Sequence, residues 1–290
     1  MNARPLVSVC AATVLALCGL LASPAGQAAA SNDCVIVPSG LLGTTMLLTN
    51  ECTTDSTIFI DEGISFDGGG HTITAVDPFL MHFTGGVLRN TPGASNVYVT
   101  NVTITGQISA DVCDAGDARL RGILFDGAGG AITNSKLFTI RQGTQSGCQE
   151  GNAIEVRNFA SDGSTPATRV KVTISDNLVD HYQKTGIVAN GGVDAVIARN
   201  IVSGDNGISF IAQNGIQIGF GATALVSANT ISGNNYLPND TFACGILIIQ
   251  TDGVDAKPQD QSFPPNNNTT ENEKNLCTFS KGGNYEPFGN

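Results

Sequence analysis

The sequence predicts an all-β chain wound as a right-handed parallel β-helix: a three-sheet solenoid with disulfide-stapled ends and loop insertions. Three observations lead there. The segment GIVANGGVDAVIARNIVSG from Gly186 aligns with GIQIGFGATALVSANTISG from Gly215, and a further copy, GILII, starts at Gly245. A repeat of this length is the mark of a solenoid, in which each copy buries its apolar side only against its neighbours. Within each copy the apolar residues alternate in short runs rich in Val, Ile and Thr, with Gly, Asn, Asp and Ser between them, which is the pattern of strands and turns. Beyond the first 30 residues no long amphipathic helical period occurs.

The first 30 residues read as a secretory signal. Arg4 is their only charge, an apolar run follows from Leu6 to Leu21, and Ala28-Ala29-Ala30 offers a small-residue cleavage site. The run is short for a membrane span, and Ser23, Pro24 and Gly26 follow it. Residues 31–290 then form one β-helix domain, exported and with no membrane contact after cleavage.

Earlier copies of the repeat are looser: NVYVTNVTITG at 96–106, GILFDGAGGAITNSKLF from Gly122, and NAIEV with RVKVTISDNLV at 152–156 and 169–179. The asparagines 101, 134, 177, 200 and 229 recur at one bend. Stacked amides at such a bend can form a ladder, and Asn tolerates a left-handed backbone there. Asn177 to Asn200 is 23 residues, near the bare coil; Ile187 to Ile216 is 29 and Ile216 to Ile246 is 30, so longer copies carry insertions, notably 161–168 and 203–213.

Eight cysteines are present, and Cys10 and Cys18 leave with the signal. The other six read as disulfides in an exported chain, with 15 connectivities open. Stacking selects one of them. Cys34 and Cys52 bracket the first strand pair, Cys113 and Cys148 precede first strands of neighbouring turns, and Cys244 and Cys277 lie one turn apart. Residues 253–275 are polar and read as an exposed loop, with the tail at 278–290 lying over the end.

The formal charge is −11, and loss of Arg4 makes the mature chain one unit more negative. That excludes nucleic acid as a partner. Of the 13 remaining bases, ten lie between Arg89 and Arg199, a local excess that could meet an acidic ligand. Zinc-finger spacing is absent, so no metal site or cofactor is identified. Calcium stays possible through Asp111, Asp114 and Asp117, whose spacing matches no standard loop.

GISFDGGGHTITA at 63–75, with CVIVPSG and LLTNEC ahead of it, resembles the opening coil of bacterial right-handed β-helix proteins of the pectin-lyase-like superfamily. The segment 182–234 resembles a secreted subgroup of unassigned activity. The resemblance spans roughly 34–250 and implies the fold. The superfamily includes pectate lyases, polygalacturonases, alginate lyases and mannuronan epimerases. The polygalacturonase set NTD, DD, GHG and RIK is missing, as is the epimerase DPHD; Asp77-Pro78-Phe79 lacks its histidine. The Gly-His of GGGHT lies in the first coil, so His71 reads as a turn residue. One fold hosts many chemistries, and no catalytic residue carries over.

One constellation remains. Asp180, His181, Tyr182, Gln183 and Lys184 lead into a first strand; aligning the coils sets Lys184 beside Gln213, and Glu155 on one outward track with Val188 and Gln217. Arg157 lies two residues along, and Arg141 in the segment feeding that strand. The ligand-binding candidates are therefore Tyr182, Lys184, Gln213, Gln217, Arg157 and Arg141. The catalytic candidates are Lys184, Tyr182, His181, Asp180 and Glu155. A lyase would need a base and a cation, and a glycosidase two carboxylates. The expected function is glycan binding outside the cell; the alternative is a polysaccharide lyase or glycoside hydrolase. A structural or ice-binding solenoid, suggested by Thr-Ile-Thr at 72–74 and 103–105, is the third reading.

Overall fold

The computed structural model describes residues 32–109, 112–238, 243–251, 254–256 and 267–279. Residues 1–31, where the sequence leads one to expect a signal, lie outside the described residues, as do 257–266 and the tail beyond Phe279. The chain coils through three sheets in turn. The first runs from Ile58–Ile60 through Gly86–Asn90, Arg121–Asp126, Asn152–Asn158, Thr185–Gly191, Asn214–Gly219 and Cys244–Ile249 to Lys274–Phe279. The second runs from Thr45–Leu48 to Val254–Ala256, and the third from Cys52–Thr54 to Asn268–Thr270. Among the described residues every strand pairing is parallel except Ile36–Ser39 on Thr45–Leu48, an antiparallel hairpin that closes the start of the second sheet. Among the described residues there is no α-helix, hence none long and apolar enough to cross a membrane.

Inward side chains stack like with like. One column of the first sheet is Ile58, Leu88, Ile123, Ile154, Ile187, Ile216 and Ile246. The third sheet contributes Ile73, Ile104, Leu137, Val179, Val202 and Ile231. These side chains lie in one continuous apolar cluster and are almost fully buried, each worth about 1.5–3 kcal/mol relative to exposure. The small residue second in five of the first-sheet strands, Gly122, Ala153, Gly186, Gly215 or Gly245, is set by close approach. A Cβ on Gly186 would lie 2.7 Å from the Gly215 carbonyl oxygen and 3.0 Å from the Tyr182 ring. That is why Gly recurs at the start of the repeat.

The bend between the second and third sheets divides a role that the repeat ascribes to one residue. The left-handed position holds Asn101, Asn134, Asp176, Arg199 and Ala228, at φ between 50° and 61°. The next residue carries the buried ladder. Asn177 Nδ2 donates to Asn200 Oδ1, Asn200 Nδ2 to Asn229 Oδ1, and Asn229 Nδ2 to Asn267 Oδ1, at 2.8–2.9 Å. Asn101 and Asn134 are thus corrected: they are exposed turn residues, and Val102 and Ser135 hold the ladder positions in their coils. The polar stretch 253–275 is corrected in part as well, since Asn267 extends the ladder and Asn268–Thr270 and Lys274–Phe279 are strands.

All three expected disulfides form: Cys34–Cys52, Cys113–Cys148 and Cys244–Cys277. The first ties the N-terminal hairpin to the third sheet, and the last joins the final two strands of the first sheet.

Candidate functional site

The outer face of the first sheet carries a charged row built by register. Leu124, Glu155, Val188, Gln217 and Leu247 stack on one outward track, as the coil alignment expects. Asp126, Arg157, Asn190 and Gly219 stack on the next. Arg121, at the strand entrance, donates from Nε to Glu155 Oε2 at 2.7 Å, and both are buried. Burial pushes the Glu155 carboxyl up, but the Arg121 guanidinium, with Asn152 and Arg157, outweighs it and holds the group below the usual range. Arg157 bridges Asp126 and Asp117, and Arg89 bridges the same two acids.

An open cleft of about 480 Å³ lies along this row. Its floor is Arg121, Glu155, Arg157 and Asn190, and Phe159 and Phe220 flank it. One wall is the loop at 116–119. The other is the insertion near 161–168, where Thr165 Oγ1 donates to the Phe220 carbonyl at 2.9 Å and bridges two coils. Arg119 also lines the cleft. Its Nε donates to the Asp114 carbonyl at 3.3 Å, and among the described residues no carboxylate pairs with its guanidinium.

The run from Asp180 to Lys184 lies elsewhere, at the corner joining the third sheet to the first. Tyr182 is corrected from a surface ligand contact to a core residue. It is wholly buried, and its hydroxyl donates to Asn234 Oδ1 at 2.5 Å. Burial raises the phenol well above its ordinary value. Gln213 is corrected likewise: it is fully buried, donating to the Tyr182 carbonyl and to Asp205. Arg141 stands in the third-sheet strand Lys136–Gln142, paired with Asp205 and donating to the His181 carbonyl. His181 is exposed, its Nδ1 2.9 Å from Asp180. Gln217 donates to Asn190 Oδ1 at 3.2 Å, at the edge of the cleft floor. So of the candidates, Glu155 and Arg157 come together in the cleft, and the 180–184 group does not join them.

Lys184 is half-buried. Its Nζ donates to the Ala212 carbonyl at 2.7 Å, and among the described residues no carboxylate pairs with it. Burial alone pushes the amine down to about 8. Between that value and the ordinary ~10.4 the unfolded chain holds a proton that the folded chain has lost, so stability rises with pH across that window. Below pH 8 the full cost of the buried charge is present. Lys184→Met is therefore expected to stabilise the fold by about 1–2 kcal/mol at pH 7, discounting the shift for partial exposure and the lost hydrogen bond. The gain should vanish above pH ~10. Urea unfolding at both pH values checks this, and a destabilised variant at pH 7 would show that the Ala212 bond dominates.

Of the acids in the calcium reading, Asp114 lies 2.9 Å from His82 Nε2, Asp117 faces Arg89 and Arg157, and Asp111 lies outside the described residues. His71 is a turn residue whose N–H donates to the Gly68 carbonyl. The threonine columns on the third sheet hold Thr72, Thr74, Thr103 and Thr105, then give way to Lys136 and Phe138.

Sequence reasoning missed Arg121, Asp126, Asn190, Phe159 and Phe220. Asp126 and Asn190 sit in register beside Arg157, a signal available once the coils are aligned. Phe159 and Phe220 lie on corner loops, where alternation says nothing. The fold and this cleft define a parallel β-helix with a polar, aromatic-flanked groove across its first sheet. No protein-family model, curated protein or solved structure matches the chain.

Proposed function

We propose that this is an exported β-helix protein, akin to the pectin-lyase-like superfamily, that binds a glycan chain in the first-sheet cleft. The observation that carries the reading is the cleft's composition. Planar hydrogen-bonding groups on Arg121, Glu155, Arg157 and Asn190 form the floor, and Phe159, 37% exposed, supplies an apolar wall. A sugar ring offers the same two surfaces, hydroxyl edges and an apolar C–H face. The ion pairs hold the polar groups in place before a ligand arrives, so little ordering cost falls on binding. The cations of the row are matched by Asp117, Asp126 and Glu155. That arrangement favours a neutral or weakly acidic chain, with Arg119 as the guanidinium open to it. The three disulfides are compatible with an oxidising compartment.

A glycan array, with a polysaccharide-degradation screen alongside it, identifies the ligand and separates binding from turnover. Phe159→Ala and Arg119→Ala should each weaken binding of the best oligosaccharide about tenfold, with the melting temperature unchanged because both side chains are partly exposed. A glycan that binds both variants like the parent sits outside the cleft.

A further inference from the structure

The N-terminal third differs in chemistry from the rest of the solenoid. Between residues 32 and 88 there is no Lys or Arg, and there are seven acids. Among the described residues, eight of the sixteen exposed large apolar side chains also fall there. They concentrate on two turn tips. Leu41 and Leu42 are 85% and 93% exposed; Phe79, Leu80 and Met81 are 68%, 88% and 72% exposed.

The backbone at these tips makes the composition informative. Leu42 and Leu80 both have φ of 60°, the left-handed region. Gly or Asn would fit there without the Cβ penalty and would suit water better. A leucine in that conformation, with its side chain in solvent, is unfavourable twice over for a free monomer. Strained backbone of this kind collects where a side chain is needed for a contact. Beside the Leu41–Leu42 turn is a hollow of about 410 Å³ lined by Ile36, Pro38, Met46, Ile64 and Asp61. Among the described residues no cation pairs with Asp61. Such a hollow accepts an apolar side chain that has a Lys or Arg next to it.

We propose that this end of the solenoid is a docking surface for a cationic amphipathic protein segment, with the Leu41–Leu42 and Phe79–Met81 tips as apolar anchors. Charge selects this occupant over the others. A second copy meeting the first end to end would oppose one acidic end to another, and an anionic bilayer would be repelled by the same carboxylates.

The probe is a short amphipathic peptide of leucine and lysine, titrated calorimetrically into the full protein. The parent should bind, more weakly as salt rises. Leu42→Gly with Leu80→Gly should weaken binding about tenfold while leaving the melting temperature equal or higher, because strain is relieved. Asp61→Asn should weaken binding and flatten its salt dependence. Ile201→Ser, exposed on the third sheet, should change neither. The proposal is overturned if the peptide fails to bind, if it binds the double variant as it binds the parent, or if the double variant melts lower. Uptake by phosphatidylcholine vesicles without peptide binding, or self-association lost in the double variant, would equally replace it with a lipid or a second copy.

Discussion

Arg121→Met is expected to lower the stability of the fold by about 3–5 kcal/mol at pH 7, the scale for removing one partner of a buried ion pair. Arg121 is 2% exposed and Glu155 5%. The guanidinium makes four hydrogen bonds: Nε and Nη2 to the Glu155 carboxylate, and Nη1 to the Gly116 and Arg119 carbonyls at 3.1 and 2.7 Å. Truncation leaves a carboxylate facing only Asn152 and, at 3.9 Å, Arg157. The pH dependence has a definite sign. In the parent the Glu155 carboxyl is held below its unfolded value, so its contribution is present above about pH 4.3 and is lost as pH falls through the folded value. In the variant burial prevails, Glu155 takes up a proton more readily, and the gap to the parent narrows on acidification. Adding Glu155→Leu should restore much of the loss, and the double-mutant cycle measures the coupling. Denaturant unfolding of all four proteins at pH 7 and pH 4 is the measurement. A single variant as stable as the parent would mean that water or Arg157 neutralises Glu155 on its own.

Asn200→Leu should cost a comparable ~3–5 kcal/mol. Asn200 is fully buried and holds four side-chain bonds: its Nδ2 donates to the Ile174 carbonyl and to Asn229 Oδ1, and its Oδ1 accepts from Asn177 N and Nδ2. Leucine fills the space but takes the acceptor from the buried Asn177 backbone N–H and a donor from the Ile174 carbonyl, at about 1–3 kcal/mol for each buried group, while Asn177 Nδ2 keeps only its bond to the Ile132 carbonyl. Asn268→Leu, on an exposed strand position, should stay within about 0.5 kcal/mol of the parent. Equal melting temperatures for the two variants would count against the ladder as a source of stability.

The repeat made the coil legible in sequence because a parallel stack places equivalent residues one above another. Ile187 over Ile154 and under Ile216 is the alignment read as geometry. Coil order also places the cysteines: Cys113 and Cys148, and Cys244 and Cys277, fall in neighbouring coils, and Cys34 and Cys52 flank the opening hairpin. The tracks of Glu155, Val188 and Gln217 were readable for that reason also.

The corners were not readable. Tyr182 follows Asp180 and His181 in a polar run, yet it turns inward because Gly186 leaves room for its ring and Asn234, 52 residues away, accepts its hydroxyl proton. Gln213 closes the same apex with bonds to Tyr182 and Asp205. At the other bend the repeat marks a conserved shape without showing which of two adjacent residues is left-handed and which is buried, so Asn134 and Asn177 look alike in sequence and differ in space.

By itself, then, the sequence determined what depends on period: strand-sized apolar alternation, the coil length, the stacking of like on like and the three disulfides. Tertiary structure decided what depends on distance between coils and across corners. It matched the middle-coil arginines to Asp117, Asp126, Asp205 and Glu155, and it moved the candidate site from the 180–184 run to the Glu155–Arg157 row. The physical reason is that a strand period governs only which face a side chain takes. The partner of a charge, and the inward turn of a corner residue, follow from the space left by residues tens of positions away.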